Sequence, residues 1–267
     1  MRTFPIVLPS HSGIVKIIQQ EYDENNLKWN HNEATEGHNM KIVIIISANA
    51  EWDAIKRLFL NVTFEHYTYG ECFQTFIEDQ PITYFHTGWG KTASAGALQH
   101  ILDRYEPELV INLGTCGGLA GVTEQDDLIL VERTSMYDIV ELMETSDVTE
   151  YYASTLDLSW LALPEPYPTR RGLIASADGD LLPEKIPFLK SLGALAADWE
   201  SAPLAWVAQK NKARLLILRV VSDVVSEVGG EVYGDYESYK ERTTGIMRRL
   251  VEQLPGWLKV IKFGNGQ

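Results

Sequence analysis

The chain is poor in the residues and segments that mark secreted and membrane proteins. Of its 267 residues only two, Cys72 and Cys116, are cysteine, which is too few for a disulfide framework. No apolar run reaches the roughly 18 residues that a transmembrane helix needs. The opening MRTFPIVLPSHSG is broken by two prolines, which makes a poor signal peptide. We therefore expect a protein of the reducing cytoplasm.

Positive charge and metal-ligand spacings are scarce as well. The chain carries 23 Lys and Arg against 37 Asp and Glu, and its formal net charge is −14. Without a basic patch, neither nucleic acid nor an anionic membrane surface is expected as a partner. The six histidines are scattered, with no HxxxH, HExxH or CxxC spacing, so we predict no metal site and no cofactor.

The chain does contain several short runs of apolar residues. Leu215–Val221 is apolar except for Arg219, and Lys41–Ile46 and Glu108–Leu113 are similar. Runs of this length and uniformity favour central strands of a mostly parallel sheet that is covered on both faces. Helical patterns and short β-rich runs lie between them. We therefore predict an α/β fold with a single domain, built on a twisted mixed central β-sheet flanked by helices.

The predicted domain begins at Met40 and spans residues 40–267. Residues 1–39 differ in character, because much of that stretch is polar and rich in Asn, Glu and His, and we interpret them as a flexible N-terminal extension. Further strands are predicted at residues 127–132, 171–176 and 194–199, and helices at residues 92–105, 187–192, 201–210 and 236–259.

Three carboxylates, Glu51, Glu200 and Asp223, each follow a predicted central strand. Because the carboxyl ends of parallel strands lie at one edge of a sheet, the three side chains are expected to converge there. Each alone has a simpler explanation, since an acid at a helix start complements the helix dipole and Asp223 can end a buried strand. Together they suit glycoside cleavage, in which one acid protonates the leaving group and another positions water. Burial and mutual repulsion would raise the pKa of at least one of them.

Two glycine-rich segments also follow predicted strands. Thr87–Lys91, TGWGK, precedes an Ala-rich helix and forms a natural anion or sugar site, although it is neither a dinucleotide fingerprint nor a P-loop. Gly114–Gly118, GTCGG, has three glycines in five residues, which indicates tight turns or close approach of a ligand. Thr115 and the neighbouring amides are candidates to hold a hydroxyl or an oxyanion. Cys116 is better explained as a small buried residue than as a nucleophile.

Five segments resemble the purine nucleoside phosphorylase/uridine phosphorylase superfamily, and in particular its methylthioadenosine/S-adenosylhomocysteine nucleosidases. In chain order they are KIVIIISANAE, GWGKTASA, NLGTCGGLAG, DWESAPLA and RVVSDV, between Met40 and the C-terminal helix. NLGTCGG and RVVSD, in that order and spacing, are the most specific of the five. The resemblance implies a nucleoside phosphorylase-like fold and hydrolysis of the N-glycosidic bond of a purine nucleoside. It also implies a homodimer, in which the partner subunit sometimes lends residues to the pocket.

The resemblance implies a role for each carboxylate. Asp223 matches the general acid that binds purine N7, and Ser222 beside it matches the residue that supports this acid. Glu200 matches the carboxylate that holds the ribose hydroxyls. Glu51 matches the nucleosidase glutamate that orients the attacking water. Thr115 matches a Ser or Thr near the position of that water or of a phosphate, and the adjacent Cys116 and Gly117 are counted with the substrate-binding residues.

The remaining matched positions differ from the usual nucleosidase pattern. Trp199 stands where a Met usually packs under the sugar, and Trp89 stands where an apolar residue faces the 5′ substituent. Asp180 lies near the place of an aromatic or apolar residue that stacks on adenine. Either Asp180 contacts the edge of the base, or the register shifts so that Leu181 packs against the base.

Hydrolysis is expected rather than phosphorolysis, because phosphorylases of this superfamily surround phosphate with arginines. Asn112 stands at one arginine position, before the glycine-rich segment, and SANAEW contains no arginine. A phosphate dianion would find few cationic donors and would be repelled by Glu51. A phosphate-dependent phosphorylase and a catalytically idle nucleoside-binding module are the alternatives. An idle module has no physical need for three carboxylates at one place, and a dehydrogenase would need the missing GxGxxG spacing.

Overall fold

A computed structural model describes residues 40–143, 148–226, 228–231 and 233–262, so the predicted N-terminal extension lies outside the described residues. The strands are β1 (Ile42–Ile46), β2 (Glu65–Tyr67), β3 (Gly70–Ile77), β4 (Gln80–His86), β5 (Leu109–Leu119), β6 (Leu128–Met136), β7 (Ser154–Thr155), β8 (Arg170–Ser176), β9 (Ala194–Asp198), β10 (Leu215–Ser226) and β11 (Gly229–Gly230). The helices are α1 (Asn49–Leu58), α2 (Gly90–Tyr105), α3 (Val148–Tyr151), α4 (Ile186–Ser191), α5 (Ser201–Asn211) and α6 (Tyr236–Lys259).

All of these strands belong to one mixed sheet. Its order is β11-β10-β6-β8-β9-β5-β1-β4-β3-β2, with β7 beside β6. Because β10 pairs with β5 as well as with β6, the strands β10, β6, β8, β9 and β5 close into a ring, and β1 to β4 extend from it. The predicted fold class, an α/β domain with a mixed sheet flanked by helices, is confirmed. Within the described ranges, no helix is both long and apolar enough to cross a membrane.

The sheet is covered on both faces, as the apolar runs predict. Every residue of β1 is buried, and alternate residues point to opposite faces. Ile42, Ile44 and Ile46 pack in the cluster that contains residues of α1 and α6. Val43 and Ile45 pack in the cluster that contains residues of α2 and α5. The helices therefore bury both sides of the strands that carry the site.

Two central strands are longer than predicted. β5 continues through the GTCGG segment, for which tight turns or close approach of a ligand were predicted, so the segment is a strand and not a turn. β10 continues past Asp223, which was predicted to follow the strand end. Ser222 and Asp223 instead lie within β10, at a register shift against β5. A Cβ on Gly118 would lie 2.7 Å from the Val221 side chain, so the glycine lets the two strands approach closely without ending the strand.

The three carboxylates converge, but the prediction that they do so at one edge of a parallel sheet is wrong. β1, β4, β5 and β10 run parallel to one another, but β9 pairs with β5 in the antiparallel direction. Glu200, which follows β9, therefore approaches from the opposite direction to Glu51, which follows β1. The three carboxylates meet beside the middle of the long strands β5 and β10, where β1 ends.

Candidate active site

A cavity of about 660 Å³ lies beside the middle of β5 and β10. Ten of the eleven residues predicted for the site line it, namely Glu51, Trp89, Thr115, Cys116, Gly117, Asp180, Leu181, Trp199, Glu200 and Asp223. The eleventh, Ser222, hydrogen-bonds to Asp223. The rest of the wall is formed by Ala48, Ala50, Tyr137, Gly179, Ala197, Asp198, Tyr233, Gly234, Tyr236 and Tyr239.

Glu51 is buried in the first turn of α1 and is held by the backbone of two elements. Its Oε1 accepts hydrogen bonds from the Thr115 amide at 2.6 Å and the Thr115 hydroxyl at 2.9 Å. Its Oε2 accepts from the Ala48 amide at 3.3 Å. Burial raises the pKa of Glu51, although the charge of Arg219 and these hydrogen bonds oppose the rise. A fixed carboxylate with increased proton affinity can orient a water molecule and accept its proton.

Glu200 is buried at the N-terminal cap of α5 and reaches the start of α2. Its Oε1 accepts a hydrogen bond of 3.0 Å from the amide of Gly90, which has a φ of +78°. Burial and the neighbouring charge of Asp198 raise the pKa of Glu200 to about 8. The carboxyl group therefore carries acceptor oxygens at the cavity wall and exchanges its proton near neutral pH.

Asp223 is buried at the register shift of β10. Its Oδ1 accepts a hydrogen bond of 2.8 Å from the Ser222 hydroxyl, while Oδ2 has no partner among the described residues. Burial raises the pKa of Asp223, and the charges of Glu231 and Asp180 raise it further, against the Ser222 hydrogen bond and Arg242. A buried carboxyl group with one unpartnered oxygen at a cavity wall is suited to donate a proton to a bound ligand.

A buried ion pair lies behind these carboxylates. The Nε of Arg219 donates to Asp198 Oδ2 at 2.7 Å, and both side chains are almost fully buried. Asp198 also accepts hydrogen bonds from the hydroxyls of Ser176 and Ser201. No role was predicted for Arg219 from the sequence, although a lone charge in an otherwise apolar strand indicates a buried partner.

The wall contains four tyrosines that were not among the predicted site residues, namely Tyr137, Tyr233, Tyr236 and Tyr239. The Tyr239 hydroxyl lies 3.4 Å from Thr115 Oγ1, and burial raises the pKa of Tyr239 to about 12. The Tyr233 hydroxyl donates to the carbonyl of Leu181 at 2.6 Å, and Tyr236 lies at the start of α6. The amphipathic pattern identifies the core side of α6, but it does not show that the polar side of this helix begins beside a cavity.

Among the described residues, the cavity wall offers neither a reactive thiol nor a cation. Burial raises the pKa of the Cys116 thiol well above its ordinary value, so Cys116 stays protonated. Of the described residues that line the cavity, none is Lys or Arg. Asn112 is buried away from the cavity, where its Nδ2 donates to the carbonyl of Ile45 at 3.0 Å. In the described part of the chain, no group of three or more His, Cys, Asp or Glu is arranged to hold a metal ion.

The fold is shared with solved nucleosidases, and the sequence matches a known superfamily. The Phosphorylase superfamily matches residues 41–252, and the chain belongs to it. Among its relatives, a 5′-methylthioadenosine/S-adenosylhomocysteine nucleosidase of Bacillus pumilus is 22% identical over 229 residues, which cover 80% of this chain and 99% of that protein. The nucleosidase of Thermotoga maritima is 29% identical over 153 residues, 56% of this chain and 70% of that protein.

Solved structures of nucleosidases share the fold. That of Helicobacter pylori, in complex with a pyrrolidine ligand, has a TM-score of 0.66 and 21% identity, and the match covers 81% of this chain and 98% of that chain. That of Streptococcus pneumoniae, in complex with 8-aminoadenine, has a TM-score of 0.67 and 19% identity over 83% of this chain and 100% of that chain. The resemblance inferred from the sequence motifs is thereby confirmed.

Proposed function

We propose that the protein is an N-ribosyl hydrolase that cleaves the N-glycosidic bond of a purine nucleoside similar to methylthioadenosine or S-adenosylhomocysteine. The main support is the meeting of three buried carboxylates with raised pKa values, Glu51, Glu200 and Asp223, around one cavity. The names of the relatives agree with this class of substrate.

Asp223 acts on the leaving base. Burial raises its pKa and so favours the protonated carboxyl group, which donates its proton to N7 of the purine as the bond from the base to the sugar C1′ breaks. The bonding electron pair leaves with the base, and positive charge develops on the sugar in an oxocarbenium-like transition state. The Ser222 hydroxyl holds the second carboxyl oxygen and so fixes the orientation of the acid.

Glu51 and Glu200 act on the sugar side. Glu51, oriented by the amide and hydroxyl of Thr115, accepts a proton from water as the water oxygen forms its bond to C1′. Glu200 accepts hydrogen bonds from the ribose hydroxyls. Trp199 packs against the sugar, and its ring contacts that of Trp89, which faces the 5′ substituent. The products are the free base and a free sugar.

The base lies between the loop after β8 and Asp223. Leu181 is buried at the cavity wall and packs against the face of the base, while the exposed Asp180 accepts hydrogen bonds from its edge. Asp180 and Asp223 both line the cavity, and the charge of Asp180 contributes to the raised pKa of Asp223. Cys116 and Gly117 form the β5 side of this wall without taking part in the chemistry.

The wall favours water over phosphate as the second substrate. No Lys or Arg lines the cavity among the described residues, and the nearest buried guanidinium, that of Arg219, is paired with Asp198. A phosphate dianion at the position of the attacking water would meet the charge of Glu51 and no cationic donor. A neutral water molecule meets no such penalty.

The assembly and location follow the family resemblance. We propose a homodimer, because the described residues Val140, Leu142 and Met143 form an exposed apolar segment shortly after Tyr137 of the cavity wall. We propose a cytoplasmic location, where the free thiols of Cys72 and Cys116 remain reduced. We further propose that residues 1–39 are an extension to a catalytic domain of residues 40–267.

The test is release of free base from methylthioadenosine, adenosine, S-adenosylhomocysteine and inosine in phosphate-free buffer. Release of adenine is expected, and the rates for the four nucleosides rank the base and the 5′ group. Binding of these nucleosides without release from any of them would contradict the hydrolase and favour the catalytically idle binding module.

A further inference from the structure

The first two amides of α2 bind two carboxylates from different parts of the chain. The Gly90 amide donates to Glu200 Oε1 at 3.0 Å, and the Lys91 amide donates to Asp178 Oδ1 at 2.7 Å. The first amides of a helix have no partner within the helix and carry its positive end, so carboxylates are favoured there. The start of α2 therefore connects the ribose-binding acid of the proposed mechanism to the loop that follows β8.

The side chain of Lys91 reinforces this connection. Its Nζ lies 2.5 Å and 2.6 Å from the two carboxylate oxygens of Asp138 and 3.8 Å from Asp178 Oδ2. The Asp178 amide donates to Asp138 Oδ2 at 2.9 Å. The lysine side chain is only 19% exposed. We call Lys91, Asp138 and Asp178 the Lys91 cluster.

Each member of the Lys91 cluster adjoins a residue of the cavity wall, but none of the three lines the cavity. Lys91 follows Trp89 and Gly90, and Asp138 follows Tyr137. Asp178 precedes the three wall residues 179–181, which face the base in the proposed function. The cluster thus joins three separate segments just behind the wall.

The Lys91 ammonium group balances the charges of Asp138 and Asp178, whose side chains are 30% and 45% exposed. Asp138 and Asp178 are joined to each other by a hydrogen bond and to the same ammonium group, so removal of the ammonium charge leaves two carboxylates in mutual repulsion. There is little free space to absorb a shift, because a Cβ on Gly90 would lie 2.7 Å from Asp178 Oδ1. Separation of the two carboxylates would move the base-facing loop and the amide that binds Glu200.

We propose that Lys91 is a positioning residue for the substrate, which acts through Asp138 and Asp178 to hold the base-facing loop and the Gly90 amide at the cavity. This inference rests on the proposed function. Because Glu51 and Asp223 are bound to other elements, the groups of the chemical step stay in place when the cluster is broken. The lysine therefore affects binding of the nucleoside more than its cleavage.

The test compares KM and kcat of the full chain on a nucleoside that the wild-type enzyme cleaves. Lys91→Met is expected to raise KM about tenfold and to change kcat by less than about threefold, the pattern of lost ground-state binding. Lys91→Arg, which keeps the charge, is expected to restore most of the affinity. Asp138→Asn added to Lys91→Met is expected to recover part of the loss, because it removes one of the two repelling charges.

Lys259→Met is the matched control, because Lys259 pairs with Glu78 at 2.9 Å on the surface, and it should leave KM unchanged. If Lys91→Met does not fold, as judged by thermal unfolding, Asp138→Asn alone tests the same contact and should raise KM. A wild-type KM in these variants, or a loss confined to kcat, would overturn the positioning role. Absence of base release by the wild-type enzyme would instead reject the proposed function.

Discussion

The three carboxylates of the cavity have different hydrogen-bond partners, although they share one environment. Glu51 accepts three hydrogen bonds from the protein, whereas Glu200 accepts one from the Gly90 amide. Asp223 has a serine on one oxygen and no described partner on the other. These differences support the three proposed roles of an oriented base, a ribose acceptor and a proton donor for residues of similar chemistry.

The first prediction concerns the two carboxylates of the chemical step. Asp223→Asn removes the proposed proton source of the leaving base, and Glu51→Gln removes the proposed acceptor of the water proton. Each should lower kcat by about 10²–10⁴-fold, measured as base release, while nucleoside binding by calorimetry remains. Asp53→Asn, on the exposed side of the same helix as Glu51, is the control. Near-normal turnover in either active-site variant would refute the assigned role.

The second prediction concerns pH and Glu200. The unfolded chain ionises this group near its ordinary pKa of 4.5, whereas burial raises the pKa to about 8 in the folded protein. The stability that comes from the bound proton is therefore complete below about pH 4.5 and is lost as the pH rises through about 8, and each unit of difference corresponds to about 1.4 kcal/mol.

Urea unfolding at several pH values measures this effect. Between about pH 5 and about pH 9, the free energy of unfolding of the wild type should fall relative to that of Glu200→Gln, which has no proton to lose. Parallel pH profiles for the two proteins would show that Glu200 is not protonated by burial.

At the residue scale, the motifs predicted half of the cavity wall: ten of the eleven predicted residues line it, and ten other wall residues were not predicted. They were not sufficient for residues outside a motif, such as Tyr233 and Tyr239. The position of these tyrosines depends on how α6 packs beside β5, which no local pattern contains. Unlike the tyrosines, Arg219 could have been recognised from the sequence, because a charge within an apolar strand indicates a buried partner.

At the scale of elements, a glycine is required at position 114 of β5, because the side chains of Arg219 and Glu51 pack directly against the strand there. A Cβ on Gly114 would overlap the guanidinium of Arg219 and lie 2.8 Å from Glu51 Oε1. The glycine therefore allows the buried Arg219 guanidinium and the Glu51 carboxylate to approach the same point of the strand.

The third prediction follows from this contact. Gly114→Ala should displace Arg219 and Glu51, lower the free energy of unfolding by about 1–3 kcal/mol, and reduce kcat. Denaturant unfolding and base release measure the two effects. Gly245→Ala in α6 is the control, because its Cβ would meet no atom within 4 Å, and it should be neutral or slightly stabilising. Equal behaviour of the two variants would contradict the account.

Element prediction succeeded where a single pattern determines the element. The bounds of α6, Tyr236–Lys259, are those predicted from its amphipathic spacing. β5 and β10 extend beyond their predicted ends. The ends were predicted too early because glycine and serine are common at the start of a turn. The paired strand that keeps these residues extended is distant in sequence, so local composition cannot reveal it.

At the scale of the whole molecule, the direction of each strand determines how the site is assembled. The alternation of apolar runs with helical patterns predicts the fold class. It does not predict the ring closure or the antiparallel pairing of β9 with β5. Strand direction depends on connections through the whole chain, and buried parallel and antiparallel strands have similar composition. The expectation of a single parallel edge was therefore wrong, although the same three side chains meet.

The fourth prediction concerns assembly. Leu142 and Met143 are 87% and 91% exposed, a large cost in water for two adjacent apolar side chains. If a second subunit covers them, Leu142→Glu should shift the protein toward monomer in analytical ultracentrifugation and lower kcat/KM. Leu60→Glu changes an exposed leucine elsewhere, 80% exposed, and should change neither. A wild-type protein that is monomeric at all concentrations would contradict the homodimer.

The identity of the sugar product in saturating phosphate is the most direct test of the central claim, that this cavity activates water. A nucleoside that the enzyme cleaves is incubated with phosphate, and the sugar is identified by mass spectrometry. Because no cation was found on the described wall and Glu51 repels a dianion, we expect free sugar and a rate independent of phosphate. Formation of a sugar 1-phosphate, at a rate that rises with phosphate, would contradict the account and identify a phosphorylase.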